Sequence, residues 1–196
     1  MKIGILISGR GSNMVALVEA VGSGEIPGSE VAVVISDKAD AAGLAKAAER
    51  GVETLVIERN GRKREEHDAE IVAALNDRGV ELVCLAGYMR LLSPLFVQAF
   101  PDRIINIHPS LLPAYPGLNV HERVIAAGEK TSGCTVHFVH EDLDAGPIIL
   151  QREVPVFDGD TPETLSARIL EQEHGTYVEA VKKILATKSN EQTERN

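Results

Sequence analysis

The chain has 196 residues, 44% hydrophobic and 25% charged, a composition that fits one globular α/β domain and excludes collagen-like, low-complexity and disordered classes. Twenty Lys and Arg against 29 Asp and Glu leave a net charge of -9, which argues against a basic surface gripping nucleic-acid backbone and still allows a local basic pocket. Cys84 and Cys134 lie inside apolar runs and read as small buried hydrophobes. No secretory leader pattern precedes the strand that starts at Lys2, and no run approaches the ~18 apolar residues of a membrane span, so a cytoplasmic protein without an anchor is expected.

Short β-branched runs alternate with helical patterns, as in βαβ units of a parallel sheet. Strands are predicted near Lys2–Ser8, Glu30–Ser36, Glu53–Ile57, Glu81–Leu85 and Arg103–Ile107, then a later pair near Cys134–Val139 and Pro147–Val156. Helices are expected to begin near Ser12, Ala41, Arg62 and Pro94, and the first carries the docking stripe Met14, Leu17, Val18 and Val21. A Pro-rich loop from Pro109 to Gly117 leads to a helix near Asn119–Ala127. A last helix, capped by Thr161-Pro162, runs to about Ala186, and the polar tail Thr187–Asn196 is expected to fray. The fold class expected is a mostly parallel sheet of about seven strands with helices on both faces.

The first β-to-α turn reads Ser8-Gly9-Arg10-Gly11-Ser12-Asn13. Its glycines and the free N–H groups of a helix start suit an anion, phosphate above all, while the plainer reading is a glycine turn with a Ser/Asn cap. Met14 stands where a dinucleotide fingerprint wants glycine, and no Gly-Lys-Ser/Thr ending follows, which disfavours NAD and ATP. In Ile104-Ile105-Asn106-Ile107-His108 the strand period sends Asn106 and His108 to one face at the carboxyl end of a parallel strand. A histidine can shuttle a proton and a neighbouring amide can donate to a developing oxyanion, so the two read as a catalytic pair.

The stretch His137 to Pro147 holds three carboxylates. Asp144 is the one chosen to approach the histidine, because the small Ala-Gly-Pro turn after it leaves room, whereas Glu141 and Asp142 read as solvated. His137, His140 and Asp144 are potential metal ligands, but alternation separates the two histidines, and His137 alone reads as a satisfied core histidine. In the last helix the apolar stripe Leu165, Ile169, Tyr177, Val181 and Leu185 passes through Glu173, which then either holds a ligand amine or hydroxyl or joins an ion pair. Arg59, Arg62, Lys63 and Arg64 form a basic cluster that is solvated by default and suits an anionic tail if functional. Gly87 to Leu92 could line a slot for a flat ring, with core packing as the default.

Taken in order, these residues resemble the phosphoribosylglycinamide formyltransferase family, folate-dependent enzymes of de novo purine synthesis. The resemblance spans the first strand to the last helix. It rests on Asn106-Ile107-His108-Pro109-Ser110-Leu111-Leu112-Pro113 with Ala114-Tyr115-Pro116-Gly117, then Ala86 to Arg90, Asp142 to Pro147, and Gln172-Glu173-His174. It implies a Rossmann-like formyltransferase fold and transfer of a formyl group from 10-formyltetrahydrofolate to the glycine amine of 5-phosphoribosylglycinamide without a metal. The matching catalytic positions are Asn106, His108 and Asp144, and those on the substrate side are Gly11, Ser12, Asn13 and Glu173. On the folate side stand Arg64, Met89, Arg90, Leu91, Leu92, Asn106, His140, Glu141, Asp142, Leu143 and Asp144.

Two departures are Arg10, where some relatives carry an uncharged residue, and Tyr88, in place of a familiar Phe. The resemblance further implies small-molecule partners only, a monomer or homodimer, and a phosphate half (about 1–100) followed by a folate-facing half (about 101–186). Rival readings are methionyl-tRNA formyltransferase, disfavoured by the short acidic chain and Tyr115-Pro116-Gly117; formyltetrahydrofolate hydrolase, whose relatives carry an N-terminal regulatory domain; and a non-enzymatic nucleotide-binding module, which leaves the His, Asn and Asp set without a use.

Overall fold

The computed structural model describes the backbone of residues 1–194 and the side chains of residues 1–187. In chain order the elements are β1 (Lys2–Ile7), α1 (Ser12–Gly22), β2 (Glu30–Ser36), α2 (Ala42–Glu49), β3 (Thr54–Val56), α3 (Arg64–Asp77) and β4 (Leu82–Leu85). They continue with α4 (Pro94–Ala99), β5 (Ile104–His108), α5 (Val120–Ala126), β6 (Thr131–Phe138), β7 (Ile148–Pro155) and α6 (Pro162–Glu194). The seven strands make one sheet ordered β3-β2-β1-β4-β5-β6-β7. Strands β1 to β5 pair in parallel, whereas β6 runs antiparallel to both β5 and β7. The expected mostly parallel sheet with helices on both faces is what the chain forms.

Strand alternation divides the core into two layers. Ile3, Ile5 and Ile7 of β1 pack with Leu17 of α1, Val124 of α5 and Leu165 and Tyr177 of α6. Leu6, pointing the other way, joins Val33 and Ile35 of β2, Ile71 and Leu75 of α3 and Phe96 of α4. Helix starts follow local chemistry: Ser93 accepts the Phe96 N–H at 3.4 Å with Pro94 next in line, and Thr161 accepts the Thr164 N–H at 3.3 Å ahead of Pro162. Helix α3 begins at Arg64, two residues late, because Asn60 and Gly61, both at positive φ, turn the chain while Arg59 and Arg62 bond each other's carbonyls. Helix α6 continues past Ala186 to Glu194, since neither Gly nor Pro interrupts it there. The fraying expected of the polar tail concerns side chains from 188 onward and residues 195–196, which lie outside the described residues.

Both cysteines are free and buried. Burial pushes the Cys84 thiol up to about 12 against a hydrogen bond with Tyr177, and Cys134 up to about 11 against one with Thr176, so both are neutral hydrophobes. The Tyr177 hydroxyl reaches from α6 to the carbonyls of Leu85 (2.9 Å) and Ile105 (3.2 Å), joining neighbouring strands where their ladder ends.

The turn after β1 is packed backbone against backbone. Gly11 sits at φ 68°, and the Gly43 N–H donates to the Gly9 carbonyl at 2.9 Å. A Cβ at Gly43 would lie 2.6 Å from Ile7 Cδ1 and 3.1 Å from both Gly11 Cα and the Gly9 oxygen. Gly43→Ala is therefore expected to lower stability by about 1–3 kcal/mol, read as a lower urea midpoint. Gly22→Ala, in the last turn of α1 with nothing within 4 Å of the added methyl, should be neutral or stabilising in the same assay.

Candidate active site

Strands β1, β4 and β5 are adjacent, and their carboxyl ends open onto one edge at the point where the strand order reverses direction, between β1 and β4. Asn106 lies opposite His137 across the antiparallel β5–β6 pair, so their side chains share a face, and Asn106 Nδ2 lies 3.3 Å from His137 Nε2. The hydrogen-bond pattern assigns the proton on His137. Its Nδ1 faces the Phe138 carbonyl at 2.9 Å and must donate, which leaves Nε2 to accept from the Asn106 amide. Burial holds His137 below the ordinary imidazole range, overriding the Phe138 carbonyl and Asp144, which favour its charged form. With one amide hydrogen committed to His137, the second hydrogen of Asn106 Nδ2 is available to a ligand.

His108, also on β5, is buried, and its Nε2 donates to the Tyr115 carbonyl at 2.9 Å. Its Nδ1 lies 3.5 Å from Asp144 Oδ2, while Asp144 Oδ1 lies 3.6 Å from His137 Nε2. One carboxylate thus stands between two imidazoles, at distances longer than a tight charged hydrogen bond. Its backbone is left-handed (φ 51°), and the Gly117 N–H donates to its Oδ2 at 2.9 Å. The small turn that follows is required by space, because a Cβ at Gly146 would fall 1.8 Å from the Phe138 oxygen. Asn106, His108 and Asp144 are therefore brought together as expected. His137, expected as a satisfied core histidine, is one through Nδ1 and also faces the cluster through Nε2. The signal that could have placed it is the β5–β6 register, which is not a local pattern. His121 of α5 is a further imidazole near His108, held below its ordinary range by burial first and by His108 second.

Helix α1 starts at Gly11 without a side-chain cap, so its first-turn N–H groups point from Ser12 and Asn13 with no side chain closing them. Arg10 is exposed, and its carbonyl accepts from Lys46 Nζ at 2.9 Å. Asn13 is buried and donates from Nδ2 to Glu173 Oε2 at 2.7 Å, while its own Oδ1 is buried with no partner among the described residues. Burial pushes the Glu173 carboxyl above the usual carboxylate range, with the Asn13 hydrogen bond opposing.

Of the folate-side expectations, Met89, Arg90, Leu91 and Leu92 follow β4, whose last residue Leu85 pairs with Asn106, and Met89 and Leu91 expose their side chains. Leu143 is exposed on the loop of Asp144. His140 is turned to Asp102 (3.2 Å), Glu141 accepts from Gln98 (3.4 Å), and Asp142 is exposed, so this loop brings only Asp144 to the imidazoles. Arg64 is exposed at the start of α3, 3.8 Å from Glu65. Tyr88 is buried, its hydroxyl has no partner among the described residues, and burial together with Asp37 and Asp68 pushes its pKa up.

A protein-family model described as Formyl transferase matches residues 1–181. The chain is 45% identical over 178 residues to phosphoribosylglycinamide formyltransferase of Escherichia coli (strain K12), covering 90% of this chain and 84% of that protein. It is 46% identical over 182 residues to the trifunctional purine biosynthetic protein adenosine-3 of Drosophila pseudoobscura pseudoobscura, where it spans 92% of this chain and 13% of that much longer protein. The crystal structure of glycinamide ribonucleotide transformylase 1 from Symbiobacterium toebii superposes with a TM-score of 0.91 at 51% identity, covering 93% of this chain and 86% of that one.

The buried Asn13–Glu173 pair generates a test. Glu173→Gln keeps an acceptor for Asn13 Nδ2, removes a buried charge and supplies an N–H for the orphaned Asn13 Oδ1. A raised carboxyl in the folded state contributes stability that is full below the unfolded value of 4.5 and is lost as pH rises through the folded one. The variant should therefore melt higher than wild type at neutral pH, by about 1 kcal/mol. The gap should widen from acid to neutral pH in a series of thermal melts. A gap that is independent of pH would contradict the assignment.

Proposed function

The chain belongs to the phosphoribosylglycinamide formyltransferase family, and on that premise we propose that it moves the formyl group of 10-formyltetrahydrofolate onto the glycine amine of 5-phosphoribosylglycinamide, a step of de novo purine biosynthesis. The observation that carries this reading is the convergence of Asn106, His108 and Asp144 beside the uncapped start of α1. The phosphate is held by the N–H groups of Gly11, Ser12 and Asn13 and the Ser12 hydroxyl, where the helix end favours an anion, and Glu173 accepts from a substrate hydroxyl or amine. The reduced folate occupies the other side, along Arg64, Met89, Arg90, Leu91 and Leu92, Asn106, and the loop His140, Glu141, Asp142, Leu143 and Asp144. Exposed apolar side chains at 89, 91 and 143 suit a flat ring system, and Arg90 suits its polar edge.

The neutral amine attacks the formyl carbon, forming a C–N bond and a tetrahedral carbon whose oxygen carries negative charge. The second amide hydrogen of Asn106 donates to that oxygen, with His137 holding the amide in orientation from behind. As the imidazolium, with Nε2–H engaged by the Tyr115 carbonyl, His108 supplies the other donor from Nδ1–H, which the 3.5 Å separation from Asp144 leaves unspent. Asp144 balances the positive charge that His108 then bears and relays the proton from the attacking nitrogen toward the departing folate nitrogen. The C–N bond to folate breaks, giving tetrahydrofolate and the formylated ribonucleotide. Both reactants are small molecules, no metal takes part, and the enzyme works in the cytoplasm as a monomer or homodimer, with the phosphate held from within residues 1–100 and the folate met by residues of both halves.

Tetrahydrofolate release, followed by absorbance with and without the acceptor ribonucleotide, tests the whole reading. Acceptor-dependent release is expected. Acceptor-independent release would indicate hydrolysis, and no release a binding protein. His108→Ala and Asp144→Asn should each lower kcat by about a hundredfold or more with melting temperatures near wild type. A rate close to wild type removes that residue from the mechanism.

A further inference from the structure

Segment Gly87–Ser93 carries no regular structure, yet it holds Met89 (67% exposed) and Leu91 (58% exposed) out to solvent at the site's edge. What fixes it lies beneath. The Ser8 N–H donates to the Gly87 carbonyl (3.1 Å), and the Met89 N–H donates to Ser8 Oγ (2.9 Å). The Ser8 hydroxyl donates to Asp37 Oδ1 (2.5 Å), and Arg90 Nε donates to Asp37 Oδ2 (2.5 Å). Further on, the Ser93 N–H donates to Asp68 Oδ2 at 2.6 Å. Ser8 and Asp37 follow the carboxyl ends of β1 and β2, and both are buried. The Arg90 side chain is one-third exposed, and among the described residues no protein acceptor is bonded to its two Nη groups.

We infer that Asp37 is a positioning residue for the reduced folate: it aims the Arg90 guanidinium outward and, through Ser8, sets the Met89 backbone. This rests on the function proposed above. Burying a carboxylate is costly even when it is paired, so a 4%-exposed aspartate with one oxygen on Arg90 and the other on Ser8, which in turn accepts the Met89 N–H, is poorly explained by stability alone. What it supplies is orientation. An arginine anchored by Nε has both Nη groups fixed in direction, and donors already ordered lose less freedom when a ligand binds. Asp37 touches no reacting atom, so its effect falls on folate binding and leaves the chemical step alone.

Asp37→Asn, nearly isosteric, should raise KM for 10-formyltetrahydrofolate about tenfold. The KM for glycinamide ribonucleotide should not change, and kcat should stay within about twofold. Because Asp37 acts mainly through Arg90, the double variant with Arg90→Ala should be at most about threefold worse for folate than Arg90→Ala alone, the part carried by Ser8, and well short of a further tenfold. Calorimetric titration with tetrahydrofolate should show the same weakening, and titration with the ribonucleotide none. Unchanged folate binding, equal losses for both substrates, or additive effects in the double variant would overturn the inference. If Asp37→Asn does not fold, Ser8→Ala cuts the same network at Met89 and should raise folate KM about threefold; no change there would equally overturn it. Wild-type protein that transfers no formyl group refutes the proposed function instead, and the folate titrations still decide the role of Asp37.

Discussion

A single carboxylate set between two imidazoles organises this site. Asp144 reaches His108 and His137 only because β6 returns antiparallel beside β5, setting His137 opposite Asn106, and because the chain doubles back tightly enough to press Gly146 onto the Phe138 carbonyl. The left-handed backbone at Asp144 costs about 1 kcal/mol or more, which the Gly117 amide helps to offset. The two imidazoles are not equivalent. Deep burial keeps His137 neutral and turns it into an acceptor that orients an amide, whereas His108 keeps its Nδ1 toward the carboxylate. In the proposed reaction that asymmetry separates the group that positions a donor from the group that takes up charge.

The sequence made local features legible and left cross-strand ones unreadable. Strand periodicity put Asn106 and His108 on one face, and the Ala-Gly-Pro turn singled out Asp144, because each depends on near neighbours in the chain. The partner of Glu173 is Asn13, 160 positions away, and only the docking of α6 on α1 brings them into contact. His137 was legible as buried, but its second role depends on which β5 residue it faces. Ser8 opened the glycine turn with no role assigned to its side chain, and Asp37 stood in no motif. Their meaning comes from adjacent strands ending at one edge, beneath a loop that departs from a third.

Several polar groups near the site are satisfied poorly by the protein itself. Asn13 Oδ1 and the Tyr88 hydroxyl are buried without partners among the described residues, and Glu173 is held where its charge is disfavoured. A core selected only for stability would shed such groups. Asn13 and Glu173 meet where helix α6 docks on α1, the pattern expected when a surface is shaped for a guest at some expense to the empty fold.

The Tyr177 hydroxyl, bonded to Leu85 at the end of β4 and to Ile105 near the start of β5, limits how this protein can breathe. A staple across the floor of the crevice prevents those strands from parting without unseating α6 from the sheet. Widening to admit a bulky guest must therefore come from the rim, in the connections above the strands, while the floor stays as rigid as the core it belongs to.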